Sequence, residues 1–262
     1  MNGLWAERSL EPERMDLETL DAGTAASILG TLETINAWLG GVHATLSHVR
    51  RFSKRWKPGE RIRFIDWGTG GADLPRALVR WGRKNGFKIE VVGVDGSGPI
   101  IEYARQACRE YPEIRLVETD FDAFADPAEP FDYAISSLCL HHLNDADNIS
   151  LLERSDRLAR RGLIMNDLKR SARAWLWIWL LTRLGGAHPI VKNDGPLSVR
   201  RAFLPEELQE LANQARLPYL SVKTHFGYRL TLAGEKLAVP RVSGTYVPGK
   251  QYTRSFTGMG RA

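Results

Sequence analysis

A glycine-rich turn with an acidic residue on each side is the first part of the sequence that can do chemistry. Residues 66–73 read DWGTGGAD, and the turn follows an apolar run and precedes a helical segment. Glycine permits positive φ and lets a ligand contact bare backbone. The dinucleotide pattern G-x-G-x-x-G requires a third glycine where this chain has Asp73, and a carboxylate at a helix N-terminus repels phosphate. The turn therefore predicts a phosphate-free ligand that carries positive charge.

Three further motifs stand at or near the ends of apolar runs, and each contributes polar side chains. They are VVGVDGS with Asp95 and Gly96, ETDFDAF with Asp120 and Phe121, and FDYAISSLCLHHL with Ser136 and Ser137. Together with the glycine turn, these motifs resemble the class I S-adenosylmethionine-dependent methyltransferases over residues 62–168. The match departs from many members at Ala72, where they have a third glycine.

The resemblance implies S-adenosylmethionine as the cofactor and gives each motif a role. An acidic residue in the position of Asp95 binds the ribose hydroxyls, for which a carboxylate offers two acceptor oxygens. Residues in the positions of Asp120 and Phe121 recognise the adenine amino group and pack against its ring. The implied cofactor-binding residues are Asp66, Gly68, Thr69, Gly70, Asp95, Gly96, Asp120, Phe121 and Ser137.

Two adjacent histidines after the fourth predicted strand are candidates for a catalytic base. Methyl transfer requires an aligned nucleophile, and an oxygen or nitrogen nucleophile must also lose a proton. Histidine suits that step because its pKa lies near neutrality. In related methyltransferases the second position of such a pair often lines the acceptor pocket, which favours His142 and leaves His141 as its competitor. Asp167, at the end of GLIMND, can orient a base, bind a polar acceptor group or cap the next helix.

A tryptophan-rich segment indicates where the acceptor binds. Residues 171–184 predict a helix that is apolar nearly all round, which must be buried, line a cavity or contact a membrane surface. Trp175 and Trp179 are the candidate acceptor-binding residues on it. The sequence after it predicts a loop, GGAHPIVKNDGPLSVRRAF, and residues 169–204 are interpreted as a lid.

Segments at the lid and near the N-terminus make the resemblance more specific. MNDLKRS, NDGPLSVRRAF and the N-terminal PERMD look like the branch of the ubiquinone/menaquinone-type methyltransferases that is associated with type III polyketide synthases. This branch implies O-methylation of a phenolic or polyketide-type hydroxyl, with Ser198 and either Arg200 or Arg201 near the acceptor. Either arginine can equally be a surface ion-pair partner.

Other functions remain open at this point. The alternatives are C-methylation of a quinone precursor and a non-catalytic protein that binds S-adenosylmethionine. Methylation of RNA or protein is a further rival, but the NPPY-type tetrapeptide of several amino-directed methyltransferases is absent after strand four, which favours a small hydrophobic acceptor.

The order of the elements predicts the fold. From residue 58 onward, short apolar runs alternate with helical segments, as in a doubly wound, Rossmann-like α/β sheet whose strands are mostly parallel. The alternating segment LSVKTHFGYRLTLAGEK predicts an antiparallel edge. Residues 1–57 are predicted to be a helical extension, residues 58–239 the methyltransferase domain and residues 240–262 a flexible tail.

Composition excludes little but sets expectations about partners. The net charge is +5, spread over short clusters, which predicts a solvated basic surface and no nucleic-acid partner. The two cysteines show no metal-like spacing, and the sequence predicts no metal site. The charged N-terminus does not resemble a secretion signal, so a cytoplasmic location is expected. Peripheral membrane contact remains possible through the tryptophan-rich helix, and the sequence does not indicate the oligomeric state.

Overall fold

A seven-stranded sheet with helices on both faces forms the centre of the computed structural model, which describes residues 5–236. Its strands are β1 (Arg61–Trp67), β2 (Lys88–Asp95), β3 (Ile114–Glu118), β4 (Phe131–Ser137), β5 (Ala159–Leu168), β6 (Ser221–His225) and β7 (Arg229–Glu235). The α-helices in the described residues are α1 (Arg14–Leu17), α2 (Ala22–Trp38), α3 (Gly41–Phe52), α4 (Asp73–Asn85), α5 (Gly98–Ala107), α6 (Asp145–Leu158), α7 (Ala172–Leu184), α8 (Pro189–Arg201) and α9 (Pro205–Gln214).

The strand order β3-β2-β1-β4-β5-β7-β6 confirms the predicted doubly wound fold. Strands β1 to β5 pair in parallel, and β7 pairs antiparallel with both β5 and β6. The strand order reverses between β1 and β4, which is where a sheet of this kind opens a crevice for ligands. The ends of β1, β2, β4 and β5 therefore bring the sequence motifs to one edge.

The sheet is covered on both faces because its central strands are apolar on both sides. Strand β4 is buried at six consecutive positions, Phe131 to Ser136, as is typical of a parallel strand with helices above and below it. One large core cluster includes Ile65, Leu163 and Leu211, and a second includes Phe64, Tyr133 and Ile164. These clusters fix the strands whose ends form the site.

Three α-helices of the described residues precede β1, in the segment that the sequence predicts to be a helical extension. Asp21 caps α2 by accepting hydrogen bonds from the backbone N–H groups of Gly23 and Thr24. Gly40, at a φ of 72°, ends the turn between α2 and α3. Helix α2 packs against α5, and α1 packs against α8, so this segment covers the crevice.

The segment after the tryptophan-rich helix forms a further helix, α8, so the prediction of a loop there is wrong. His188 caps α8, and Pro189 occupies its first turn, where a missing N–H costs nothing. Pro196 lies inside the helix, which is why the sequence looked like a loop. Pro196 is buried together with Ile190 and Leu197, and this packing offsets the hydrogen bond that a proline inside a helix cannot donate.

Two other expectations concern the ends of the chain and the membrane. The predicted tail at residues 240–262 lies outside the described residues. Among the helices that the structure does describe, none is long and apolar enough to cross a membrane.

Candidate cofactor cavity and acceptor pocket

The glycine turn after β1 has the backbone that its sequence predicts. Gly68 and Gly70 have φ values of 61° and 54°, which disfavour any residue with a side chain. A Cβ added at Gly68 would lie 2.8 Å from Sγ of Cys139, whereas one at Gly70 would meet no atom closer than 4.0 Å. Ala72 also adopts the left-handed conformation, at 56°, which glycine would adopt without the steric cost of a side chain.

Asp66 supports the turn from behind and does not line the cavity in front of it. The Thr69 hydroxyl donates a hydrogen bond of 2.7 Å to one oxygen of Asp66, and the other oxygen has no partner among the described residues. Burial raises the pKa of Asp66 to about 8, and the nearby charges of Asp73 and Asp95 act in the same direction. Its implied contact with the cofactor therefore stays a prediction, while its contact with the turn is direct.

Asp95, at the end of β2, faces the turn. Its two carboxylate oxygens accept hydrogen bonds from the backbone N–H groups of Gly70, at 3.0 Å, and Ser97, at 3.1 Å. Burial raises the pKa of Asp95, although these two hydrogen bonds oppose the rise. A Cβ at Gly96 would lie 2.7 Å from a carboxylate oxygen of Asp120, so glycine here allows the two acidic residues to share one wall.

A cavity of about 470 Å³ lies in front of the turn. Seven of the nine implied cofactor-binding residues line it, namely Gly68, Thr69, Gly70, Asp95, Gly96, Asp120 and Ser137. Phe121 instead packs against the main core cluster. Six carboxylates line the cavity, those of Asp16, Glu18, Glu33, Asp73, Asp95 and Asp120, and no lysine or arginine of the described residues does so. This lining favours a cationic ligand over a phosphate.

The two histidines after β4 have different surroundings. His141 is buried, and its Nδ1 lies 2.6 Å from a carboxylate oxygen of Asp167. His142 lines the cofactor cavity, and its Nδ1 lies 2.9 Å from a carboxylate oxygen of Asp16. Burial raises the pKa of Asp167, but the charge and hydrogen bonds of His141 lower it by more.

The N-terminal segment supplies acidic partners that the sequence did not indicate. Burial lowers the pKa of His142, but the hydrogen bond to Asp16 and the charges of Glu13, Asp16 and Asp167 outweigh it, so the pKa is raised. Glu13 is buried, and its carboxylate lies 3.6 Å from Nε2 of His141 and 3.9 Å from Nε2 of His142. Glu13, His141 and His142 have donor atoms within 4.8 Å of one another, which is close enough to hold a metal ion that the sequence did not predict.

Two further spaces open beside the cofactor cavity. A small pocket of about 100 Å³ shares Met15, Leu32, Leu138 and His142 with it. A mostly apolar cleft of about 940 Å³ shares Ile35, Leu39, Leu168 and Ile178 with the small pocket. The shared residues place the small pocket next to both the cofactor cavity and the cleft, with His142 on the side of the cofactor cavity.

The residues predicted to bind the acceptor are only partly in these spaces. Ser198 lines the small pocket and donates a hydrogen bond of 2.9 Å to Glu13. Trp175 and Trp179 stack on each other and line none of the three spaces, whereas Trp177 lines the cleft. The implied role of these two tryptophans stays a prediction.

Of the two arginines considered at the end of α8, Arg201 is the one that reaches the histidines. Its guanidinium donates to the backbone carbonyls of His141 and His142, both at 3.0 Å. Arg200 lines none of the three spaces, and its role in acceptor binding also stays a prediction.

Comparisons with known proteins agree with this geometry. Residues 64–162 match a family model described as a methyltransferase domain. An uncharacterized methyltransferase of Anoxybacillus flavithermus is 26% identical over 98 residues, which are 37% of this chain and 42% of that protein. A ubiquinone biosynthesis O-methyltransferase of Brucella ovis is 33% identical over 92 residues, 35% of each chain. The chain thus matches less than half of the length of these curated relatives.

Solved structures resemble the fold over a larger part of the chain. The plantazolicin methyltransferase BpumL, in complex with SAH, has a TM-score of 0.57 at 13% identity and covers 78% of this chain and 80% of its own. Human N-acetylserotonin methyltransferase, in complex with SAM, has a TM-score of 0.55 at 18% identity and covers 82% of this chain and 56% of its own. Residues 64–162 therefore resemble a methyltransferase domain, and the fold of the chain is similar to that of these solved methyltransferases.

Proposed function

We propose that this chain is an S-adenosylmethionine-dependent methyltransferase that methylates a hydroxyl group of a hydrophobic small molecule. The observation that carries the proposal is the position of His142, which lines both the acidic cofactor cavity and the small pocket beside it. A residue at this junction can contact an acceptor atom that faces the cofactor. The phenolic or polyketide-type identity of the acceptor follows only from the resemblance of the lid.

The residues of the cavity fit S-adenosylmethionine. The ligand carries positive charge on its sulfonium and ammonium groups, which the six carboxylates of the cavity attract. The Ser137 hydroxyl is buried at the cavity wall and has no hydrogen-bond partner among the described residues, so it is available to a ligand. When bound, the cofactor supplies an electrophilic methyl group.

The chain's own residues would align the acceptor and accept its proton. His142 has its Nδ1 held by Asp16, which directs Nε2 away from that carboxylate. A neutral Nε2 can then take a proton from an acceptor hydroxyl in the small pocket. His141 is held in the same way by Asp167, and its Nε2 faces Glu13. We assign the base to His142 because it is the one of the two histidines that lines both the cofactor cavity and the small pocket, and the His141–Asp167 pair is its competitor.

The apolar cleft supports a hydrophobic acceptor. It shares the lining residues Leu168 and Ile178 with the small pocket, so it lies where the apolar tail of an acceptor with its head group near His142 would be placed. Burying such a tail is favourable by about 0.8 kcal/mol for each CH₂ group. The name of the Brucella ovis relative, which refers to ubiquinone biosynthesis, is consistent with a lipid-soluble acceptor.

One face of α7 supports peripheral membrane contact. Its buried positions recur at Ala174, Ile178 and Thr182, and its exposed face carries the large apolar residues Leu176, Trp177, Leu180, Leu181 and Leu184. The helix has two arginines and no acidic residue, which suits an anionic lipid surface. We expect Leu176→Gln with Leu180→Gln to reduce cosedimentation with vesicles that contain phosphatidylglycerol. Unchanged cosedimentation would remove α7 from the contact.

The proposal is tested by incubating the protein with labelled S-adenosylmethionine and a series of alkylphenols, followed by mass spectrometry. O-methylation and C-methylation give products of equal mass, so NMR of the product must locate the methyl group. Cofactor binding by calorimetry without any labelled product across the series would favour the non-catalytic alternative. Labelling of RNA or protein in preference to the phenols would contradict a small-molecule acceptor.

A further inference from the structure

Arg229, the first residue of β7, is a fully buried cation with few partners. It pairs across the sheet with Leu168, and its side chain is 0% exposed. One nitrogen, Nη2, donates a hydrogen bond of 3.0 Å to the side-chain oxygen of Asn36. The Nε and Nη1 atoms have no hydrogen-bond partner among the described residues, and none of the ion pairs between those residues includes Arg229.

A buried guanidinium in this state is unfavourable for folding. Arginine has five N–H donors, and a buried charge without a partner loses its hydration with little in return. Burial lowers the pKa of Arg229 to about 10, while the charges of Asp167 and Asp73 partly restore it. The side chain is therefore still charged at neutral pH, and its unpartnered nitrogens can donate to an anionic ligand.

The position of Arg229 indicates that function. It lines the small pocket together with His141, His142 and Ser198, and this pocket shares lining residues with both the cofactor cavity and the apolar cleft. We propose that Arg229 binds an anionic oxygen of the acceptor, so that the acceptor is an acidic amphipathic molecule rather than a neutral one. This inference rests on the proposed function, because it assigns the small pocket to the acceptor.

Asn36 connects this cation to the cofactor cavity. Its side-chain nitrogen donates a hydrogen bond of 2.6 Å to Asp73, and its side-chain oxygen accepts the bond from Arg229. Asn36 itself lines the cofactor cavity. An anion on Arg229 is thus separated from the cofactor cavity by one side chain, that of Asn36.

The first arm of the experiment measures binding, which needs no methyl transfer. Four probes are compared by calorimetry on the wild-type protein: a long-chain alkylphenol, its ring-carboxylated analogue, the methyl ester of that analogue and a fluorinated alkylphenol. Tighter binding of the carboxylate than of the ester identifies a carboxylate as the anion. A fluorinated phenol of lower pKa that binds more tightly as the pH rises identifies an ionised hydroxyl instead. Equal binding of all probes at all pH values would overturn the proposal.

The second arm replaces the cation. We expect Arg229→Met to lower the affinity for the anionic probe by roughly 30- to 1000-fold. Affinity for S-adenosylmethionine and for the methyl ester should change little. The unfolding midpoint without acceptor should stay the same or rise, because an unpaired buried charge has been removed. Arg229→Lys, which keeps the charge, should recover part of the preference, and Arg109→Met, at an exposed arginine, is the control.

A structural role would give the opposite pattern. If Arg229→Met lowers the unfolding midpoint while Arg229→Lys and the wild type bind anionic and neutral probes alike, the cation stabilises the fold and does not select the acceptor. Should Arg229→Met fail to fold, the wild-type probe series and Arg229→Lys still decide the question. Failure of the proposed function would look different, since anionic probes would bind and no acceptor would be methylated.

Discussion

Replacing Gly70 with alanine tests whether the glycine turn is the contact surface of the cofactor, and Gly68 provides the matched control. Both glycines have positive φ, so each substitution costs about 1–2 kcal/mol in backbone conformation. Only Gly68→Ala adds a clash, because its Cβ would lie 2.8 Å from Sγ and 2.9 Å from Cβ of Cys139. Overpacking of this kind costs about 1–3 kcal/mol more. Gly68→Ala should therefore lower the free energy of unfolding by about 2–5 kcal/mol, and Gly70→Ala by about 1–2 kcal/mol.

The order should reverse for ligand binding among molecules that remain folded. The new methyl group of Gly70→Ala stands free at the cavity wall, where it would obstruct a ligand against the backbone. We expect its affinity for S-adenosylmethionine to fall by roughly 10- to 100-fold, the effect of about one misplaced methyl group. Urea denaturation gives the first quantity and calorimetry the second. A Gly70→Ala variant that binds the cofactor like the wild type would refute the assignment of the turn.

Three further predictions concern the histidines and the cleft. His142→Ala should reduce kcat by roughly 10²–10⁴-fold. A base must be neutral to accept a proton, so the raised pKa of His142 places the acid limb of the pH–rate profile at a higher pH. Asp16→Asn should lower the pKa of His142 and move that limb to lower pH. If the acid limb of Asp16→Asn stayed at the wild-type pH, a group other than His142 would be the one that titrates. Dialysis against EDTA should leave turnover unchanged, and loss that zinc or magnesium restores would show that the histidine–glutamate cluster binds a metal. Trp177→Ala should raise KM for long-chain acceptors more than for short ones, and Trp175→Ala should not discriminate between them.

The fold and much of the cofactor cavity could be predicted from the sequence because their signals are local. Alternation of apolar strands and helices indicates a parallel sheet, and the carboxyl ends of neighbouring strands must meet at one edge. Asp95, Asp120 and Ser137 reach the cavity for this reason. Asp66 also lies at the end of a strand, but its side chain does not reach the cavity because it lies behind the turn and accepts a hydrogen bond from Thr69.

The acceptor side could not be predicted because its residues come from distant parts of the chain. Glu13 precedes His141 by more than a hundred positions, and only the packing of α1 on α8 brings them together. The tryptophan-rich helix is apolar on all sides, so its sequence gives no phase that separates Trp177 from Trp175. Arg229 lay in a strand predicted only as an edge, and its burial depends on helices from the N-terminal segment.

The change of charge during methyl transfer indicates which anion Arg229 binds. Methyl transfer from a sulfonium to an oxyanion removes both charges, so a site that excludes water favours the transition state over the separated ions. A cation bound to the nucleophilic oxygen would stabilise the ground state more than the transition state, because the charge of that oxygen disappears during transfer. Arg229 would therefore slow the reaction if it bound the nucleophilic oxygen. A carboxylate elsewhere on the acceptor keeps its charge throughout, so Arg229 can hold it without this cost, and the ring-carboxylated probe is the one expected to bind most tightly.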